Sequence, residues 1–84
     1  MERFAEYRKL IDDIDDKIVD LLDQRLSVSK EIAKNKSILI DLKRESEIVE
    51  RLCKLKHRSL SSQHIKWIYN IIFQITKEEM RNVF

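Results

Sequence analysis

Counting alternately three and four residues from the start of the chain traces Phe4, Tyr7, Ile11, Ile14, Ile18, Leu21, Arg25, Val28, Ile32 and Asn35, an apolar row that no glycine or proline interrupts. The row predicts one continuous helix from about Glu2 to about Ser37, ending where the run SILID begins. At 1.5 Å per residue such a helix reaches about 50 Å, longer than a compact single chain of 84 residues is wide. A second copy of the chain is the natural cover for its exposed apolar half. A homodimer is therefore expected from helix length alone.

The remainder of the sequence points the same way. There is no Gly and no Pro in the chain, so the usual turn formers are missing and an all-α fold with short polar links is expected. Asp41 is placed to cap a second helix, LKRESEIVERLCKLKH, about four turns long, with Ile48, Val49, Leu52 and Leu55 at helical spacing. Ser61 is placed to cap a third helix through about Asn82, with Ile65, Ile68, Tyr69, Ile72, Thr76 and Val83 along one face. At this size residues 1–84 make a single domain whose core is marginal without association.

Charge and composition exclude several function classes. Lys and Arg number 17 against 15 Asp and Glu, a net charge of +2 with the signs interleaved, so no nucleic-acid footprint is indicated. Cys53 is the single cysteine, which rules out an intrachain disulfide and suits a reducing compartment; its neighbours Leu52 and Leu55 make it a partly buried structural thiol. His57 and His64 flank a turn without further ligands at metal spacing and read as surface residues. Asp12, Asp13, Asp15 and Asp16 fall off the apolar row and read as a solvated face. The charged N-terminus has no apolar targeting region and no window approaches a membrane span, so a cytoplasmic protein is expected.

Polar residues on the apolar faces need a separate explanation. Arg25 stands in the middle of the row, and Lys36, eleven residues later, points about 20° from it. On the second helix Glu45 precedes Ile48, Val49 and Leu52 on their face, with Arg44 beside it, and on the third Thr76 is one turn from Ile72. Singly, each could be a paired core residue or a side chain snorkelling to solvent. Cations converging from separate helices repel unless an anion lies between them, so an anionic ligand in the helical core is expected. On this reading the unliganded inward Arg25 is a cost to the fold.

The stretch YRKLIDDIDDKIVDLLDQRLSVSKEIAKNK followed by DLKRESEIVERL closely resembles the all-helical chorismate mutases of the AroQ class. Their first helix carries an arginine, then I-D-x-I-D-x-x-I-x-x-L-L-x-x-R, then a lysine eleven residues on. Arg8, Ile11, Asp12, Ile14, Asp15, Ile18, Leu21, Leu22, Arg25 and Lys36 fill that pattern. Their D-x-x-R-E motif is matched by Asp41, Arg44 and Glu45.

The resemblance implies an intertwined homodimer of three-helix chains. It implies that Arg8, Arg25 and Lys36 clamp the two carboxylates of chorismate, with Lys36 also near the ether oxygen. Asp41 and Glu45 would hold the ring hydroxyl region, Arg44 would support the site, and Thr76 would stand near a substrate carboxylate. Arg8 points about 100° away from Arg25, so it would enter the partner's site. The activity implied is the rearrangement of chorismate to prephenate in phenylalanine and tyrosine biosynthesis, with Arg25, Lys36 and Glu45 as the catalytic groups and no cofactor or metal.

This sequence departs from the family in two places. The link between Lys36 and Asp41 is shorter by about four residues than in many relatives, which the end of the first helix is expected to absorb. Met80 stands where the family has Gln or Glu reaching the ether oxygen; it is expected to face the pocket, with Glu79 lining its edge. An isochorismate-pyruvate lyase is the alternative enzyme, although the D-x-x-R-E motif favours the mutase. A catalytically weak helical dimer serving as a regulatory module of a shikimate-pathway enzyme is the alternative of another class. A plain coiled coil would explain the heptads but not Arg25, Lys36 and Glu45 on inward faces.

Overall fold

The computed structural model describes residues 2–35, 41–55 and 59–81, and these form three helices: α1 (Glu2–Asn35), α2 (Leu42–Cys53) and α3 (Ser62–Arg81). The long first helix forms as its apolar row requires. Local pairs support it on the outside: Gln24 Nε2 donates to Asp20 Oδ2 at 2.7 Å, and Lys34 lies 2.9 Å from Glu31 one turn earlier. Near its end Asn35 Nδ2 donates to the Glu31 carbonyl at 2.9 Å, a side-chain bond back onto the preceding turn. The shortened link after Lys36, and Lys36 itself, lie outside the described residues.

Both later helices start where a side chain caps them. Asp41 Oδ1 accepts from the Arg44 backbone N–H at 3.0 Å. Ser61 Oγ accepts from the His64 N–H at 3.1 Å while the Ser61 N–H donates to His64 Nδ1 at 3.0 Å. The second arrangement is a reciprocal capping box with histidine in the place usually taken by Glu or Gln. His64 is exposed, as expected, but it also has this local task. His57 lies outside the described residues.

The second helix is shorter than its sequence pattern predicts. It stops at Cys53 because the chain tightens there: the Lys54 N–H bonds back to Arg51 O at 3.2 Å and the Leu55 N–H to Leu52 O at 3.2 Å, bonds that span three residues and close the last turn. Cys53 is a half-buried free thiol whose Sγ lies 3.9 Å from the Ser62 carbonyl, joining the end of α2 to the start of α3. It has the structural role expected of it.

Among the described residues α3 is the element against which both α1 and α2 pack, leaving a space between α1 and α2 above it. The face of α3 that does this is centred on Ile65, Tyr69 and Phe73; Ile65 and Tyr69 stand on the expected face, whereas Ile68, which the sequence reading sets beside them, turns outward. Ile68 is 45% exposed, and Phe73, which that reading passed over, is one of the buried residues. Only Ala33, Ile65 and Phe73 form the buried apolar core among the described residues. The molecule measures 53 × 26 × 15 Å with a radius of gyration of 15.9 Å, against about 12 Å for a compact domain of this length. Its long dimension is α1. No helix among the described residues is long and apolar enough to cross a membrane.

Candidate active site

The space between α1 and α2 is a cavity of about 600 Å³, floored by α3. Helix α1 contributes Arg25, with Leu21, Val28 and Ile32 at its helical neighbours; α2 contributes Arg44, Glu45 and Ile48 behind the cap residue Asp41; α3 contributes Phe73, Thr76, Lys77 and Met80. Arg25, Asp41, Arg44, Glu45, Thr76 and Met80, singled out on separate helices by sequence, thus line one cavity. Arg8 does not. It stands seventeen residues before Arg25 on the exposed half of α1, about 25 Å away along the helix.

Arg25 answers the question raised by a cation in an apolar row. Its guanidinium carbon lies 5.8 Å from the ring centre of Tyr69 and 5.7 Å from that of Phe73, and Nη1 donates to Thr76 Oγ1 at 3.4 Å. The two rings meet edge to face, with centres 5.7 Å apart at 65°. Their electron-rich faces attract the cation, and the half-buried guanidinium retains free edges toward the cavity. The expectation that Arg25 is an uncompensated cost is therefore corrected: α3 supplies the compensation. Thr76 in turn donates its hydroxyl to the Ile72 carbonyl at 2.7 Å, which turns an oxygen lone pair to Arg25.

The two carboxylates are held differently. Asp41 spends one oxygen on capping α2. Glu45, half-buried, lies with Oε2 at 3.1 Å from Nζ of Lys77. Lys77 is a cavity residue that the sequence reading missed, although its spacing was available: it stands four residues after Phe73, one turn along the same side of α3. Gln24 and Ser29 also line the cavity and were not singled out.

Met80 lines the cavity, as its spacing from Thr76 predicts, whereas Glu79 does not line its edge. Glu79 Oε2 instead pairs with Nζ of Lys30 on α1 at 3.3 Å. The arrangement is three cations, two carboxylates and the neutral polar Gln24, Ser29 and Thr76 among apolar side chains, disposed to grip a small dicarboxylate and to orient a hydroxyl. Among the described residues no group of three or more His, Cys, Asp or Glu could hold a metal ion.

The chain is similar in sequence and in fold to chorismate mutases. The solved structure of chorismate mutase from Helicobacter pylori in complex with prephenate superposes with a TM-score of 0.95, covering 99% of this chain and 94% of that one at 29% identity. The chorismate mutase of Methanocaldococcus jannaschii is 42% identical over 59 residues, 66% of this chain; that match spans 60% of the relative's own length. Residues 7–81 match the family Chorismate mutase type II, a stretch that takes in the described parts of all three helices but residues 2–6 at the start of α1. The chain belongs to the chorismate mutase type II family.

Proposed function

We propose that this protein is a chorismate mutase that converts chorismate to prephenate in phenylalanine and tyrosine biosynthesis, acting as an intertwined homodimer. The observation that carries the reading is the convergence of Arg25, Arg44 and Glu45, from two helices, on one cavity above Phe73 and Thr76. The reaction is an intramolecular rearrangement in which a C–O bond breaks as a C–C bond forms. It needs no nucleophile, proton transfer, metal or cofactor. What it needs is a wall that selects the compact substrate conformer and fixed positive charge beside the ether oxygen as that atom gains electron density. Arg25, presented by Tyr69 and Phe73, would hold a carboxylate. Glu45 would accept from the ring hydroxyl, with Asp41, Arg44 and Thr76 around it, and Lys36 would serve the ether oxygen.

The dimer is supported by what one chain leaves uncovered. Phe4, Ile14 and Val19 on α1 are 67%, 51% and 66% exposed, and Trp67, Ile71 and Ile75 form a second exposed apolar stripe on α3. Surfaces of this extent in so thin a molecule call for association. A second chain lying along α1 would carry its Arg8 toward the Arg25 cavity and complete the clamp. The free thiol of Cys53 suits a cytoplasmic location. Incubating the protein with chorismate and, separately, with isochorismate and identifying the products tests the function: prephenate from chorismate supports it, pyruvate with an aromatic acid from isochorismate would favour the lyase, and no reaction with either would favour a regulatory module. Met80 favours a slow mutase, because a thioether donates no hydrogen bond to the ether oxygen.

A further inference from the structure

Two ion pairs tie α3 to the other helices among the described residues, and they differ in where they lie. Lys30–Glu79 joins α3 to α1 off the cavity, with side chains 39% and 38% exposed. Lys77–Glu45 joins α3 to α2, its side chains are 27% and 22% exposed, and both residues line the cavity. The more desolvated pair is the one that faces the cavity. Its position gives it an electrostatic consequence that a surface ion pair lacks.

A cavity for a doubly anionic molecule gains nothing from a half-buried carboxylate of its own unless that carboxylate binds a hydroxyl and its charge is matched. Arg25 is engaged with two aromatic faces and Thr76, and Arg44 gives the Asp41 carboxylate its backbone N–H, while no ion pair joins its guanidinium to Glu45 among the described residues. Lys77 is the cation paired with Glu45, its Nζ 3.1 Å from Oε2. We propose that Lys77 is a positioning residue: it holds Glu45 across the α2–α3 junction and cancels its charge, fitting the cavity to a dicarboxylate. This role rests on reading the cavity as the chorismate site. Without Lys77, Glu45 faces the ligand as an unmatched negative charge and is free to turn from the direction in which it accepts a hydroxyl.

The test is a double-mutant cycle on prephenate binding, measured by calorimetry, together with chorismate turnover. Lys77→Met keeps the apolar stem and removes the charge; it should weaken prephenate binding about tenfold and raise KM by a similar factor. In a Glu45→Gln background, where no charge remains to be cancelled, the same change should alter prephenate affinity less than about twofold. Lys77→Arg should retain affinity within about threefold, and Lys30→Met, which removes the other interhelical pair, should leave affinity unchanged. Equal losses from Lys77→Met in both backgrounds would overturn the proposal, because Lys77 would then be gripping the ligand itself; no loss in either would overturn it also. An active wild type with an unaffected Lys77→Met variant defeats the role of Lys77 alone. A wild type that neither binds prephenate nor consumes chorismate defeats the reading of the cavity, and this role with it.

Discussion

Lys30 on α1 holds Glu79 on α3 at 3.3 Å, and the residue after Glu79, Met80, faces the cavity. The pair holds the Glu79 carboxylate outside the cavity, while the thioether of Met80 stands within it.

Met80→Gln should therefore raise kcat by about tenfold or more with little change in KM, since a donor to the ether oxygen acts mainly in the transition state. Steady-state kinetics with chorismate checks this. Glu79→Gln should leave both constants within about twofold, because its partner is Lys30 and not the substrate. A Met80→Gln enzyme no faster than the parent would mean that the ether oxygen has its full complement without α3.

Arg25→Ala should lower kcat/KM by at least about 10³-fold, since it removes a charged clamp from a largely apolar cavity. Its effect on stability has the opposite sign to the one inferred from an isolated charge in an apolar row. Losing contact with Tyr69 and Phe73 should cost about 1 kcal/mol, read from urea denaturation of wild type and variant. A variant more stable than the parent would show that the rings do not compensate the charge.

Sedimentation equilibrium should find a dimer at micromolar concentration, and Ile14→Glu, in the middle of the uncovered row of α1, should drive it toward unfolded monomer. A folded monomer of the parent protein would defeat the intertwined arrangement.

Arg8→Ala and Arg25→Ala subunits should each be inactive alone and recover activity when refolded together. A heterodimer has one cavity lacking both groups and one lacking neither, so up to half of the activity per heterodimer should return. Verified heterodimers as inactive as their parents would show that Arg8 belongs to no site.

The cap of α3 offers a test away from the chemistry. Ser61→Ala should cost about 1 kcal/mol, measured by thermal denaturation, and His64→Gln should cost less than His64→Ala because glutamine can return the bond to the Ser61 N–H. Equal losses from the two His64 variants would mean that the imidazole is not acting as a cap.

The helices and their starts were legible in the sequence because the information for them is local. A period of 3.5 residues from Phe4 to Ile32, a cap at Asp41 and a cap at Ser61 act over one or two turns, and α1, α2 and α3 begin where those residues dictate. The inward placement of Arg25, Glu45, Thr76 and Met80 was legible for the same reason, since each shares a helical face with apolar neighbours. What the inward residues touch was decided between helices. Phe73 and Tyr69 lie more than forty residues from Arg25, Lys77 more than thirty from Glu45 and Glu79 nearly fifty from Lys30, and no spacing rule spans such distances. Helix periodicity gives each side chain a direction around its own axis; only the packing of α3 against α1 and α2 brings one helix's direction to bear on another's, turning a charge in an apolar row into a guanidinium seated on two rings.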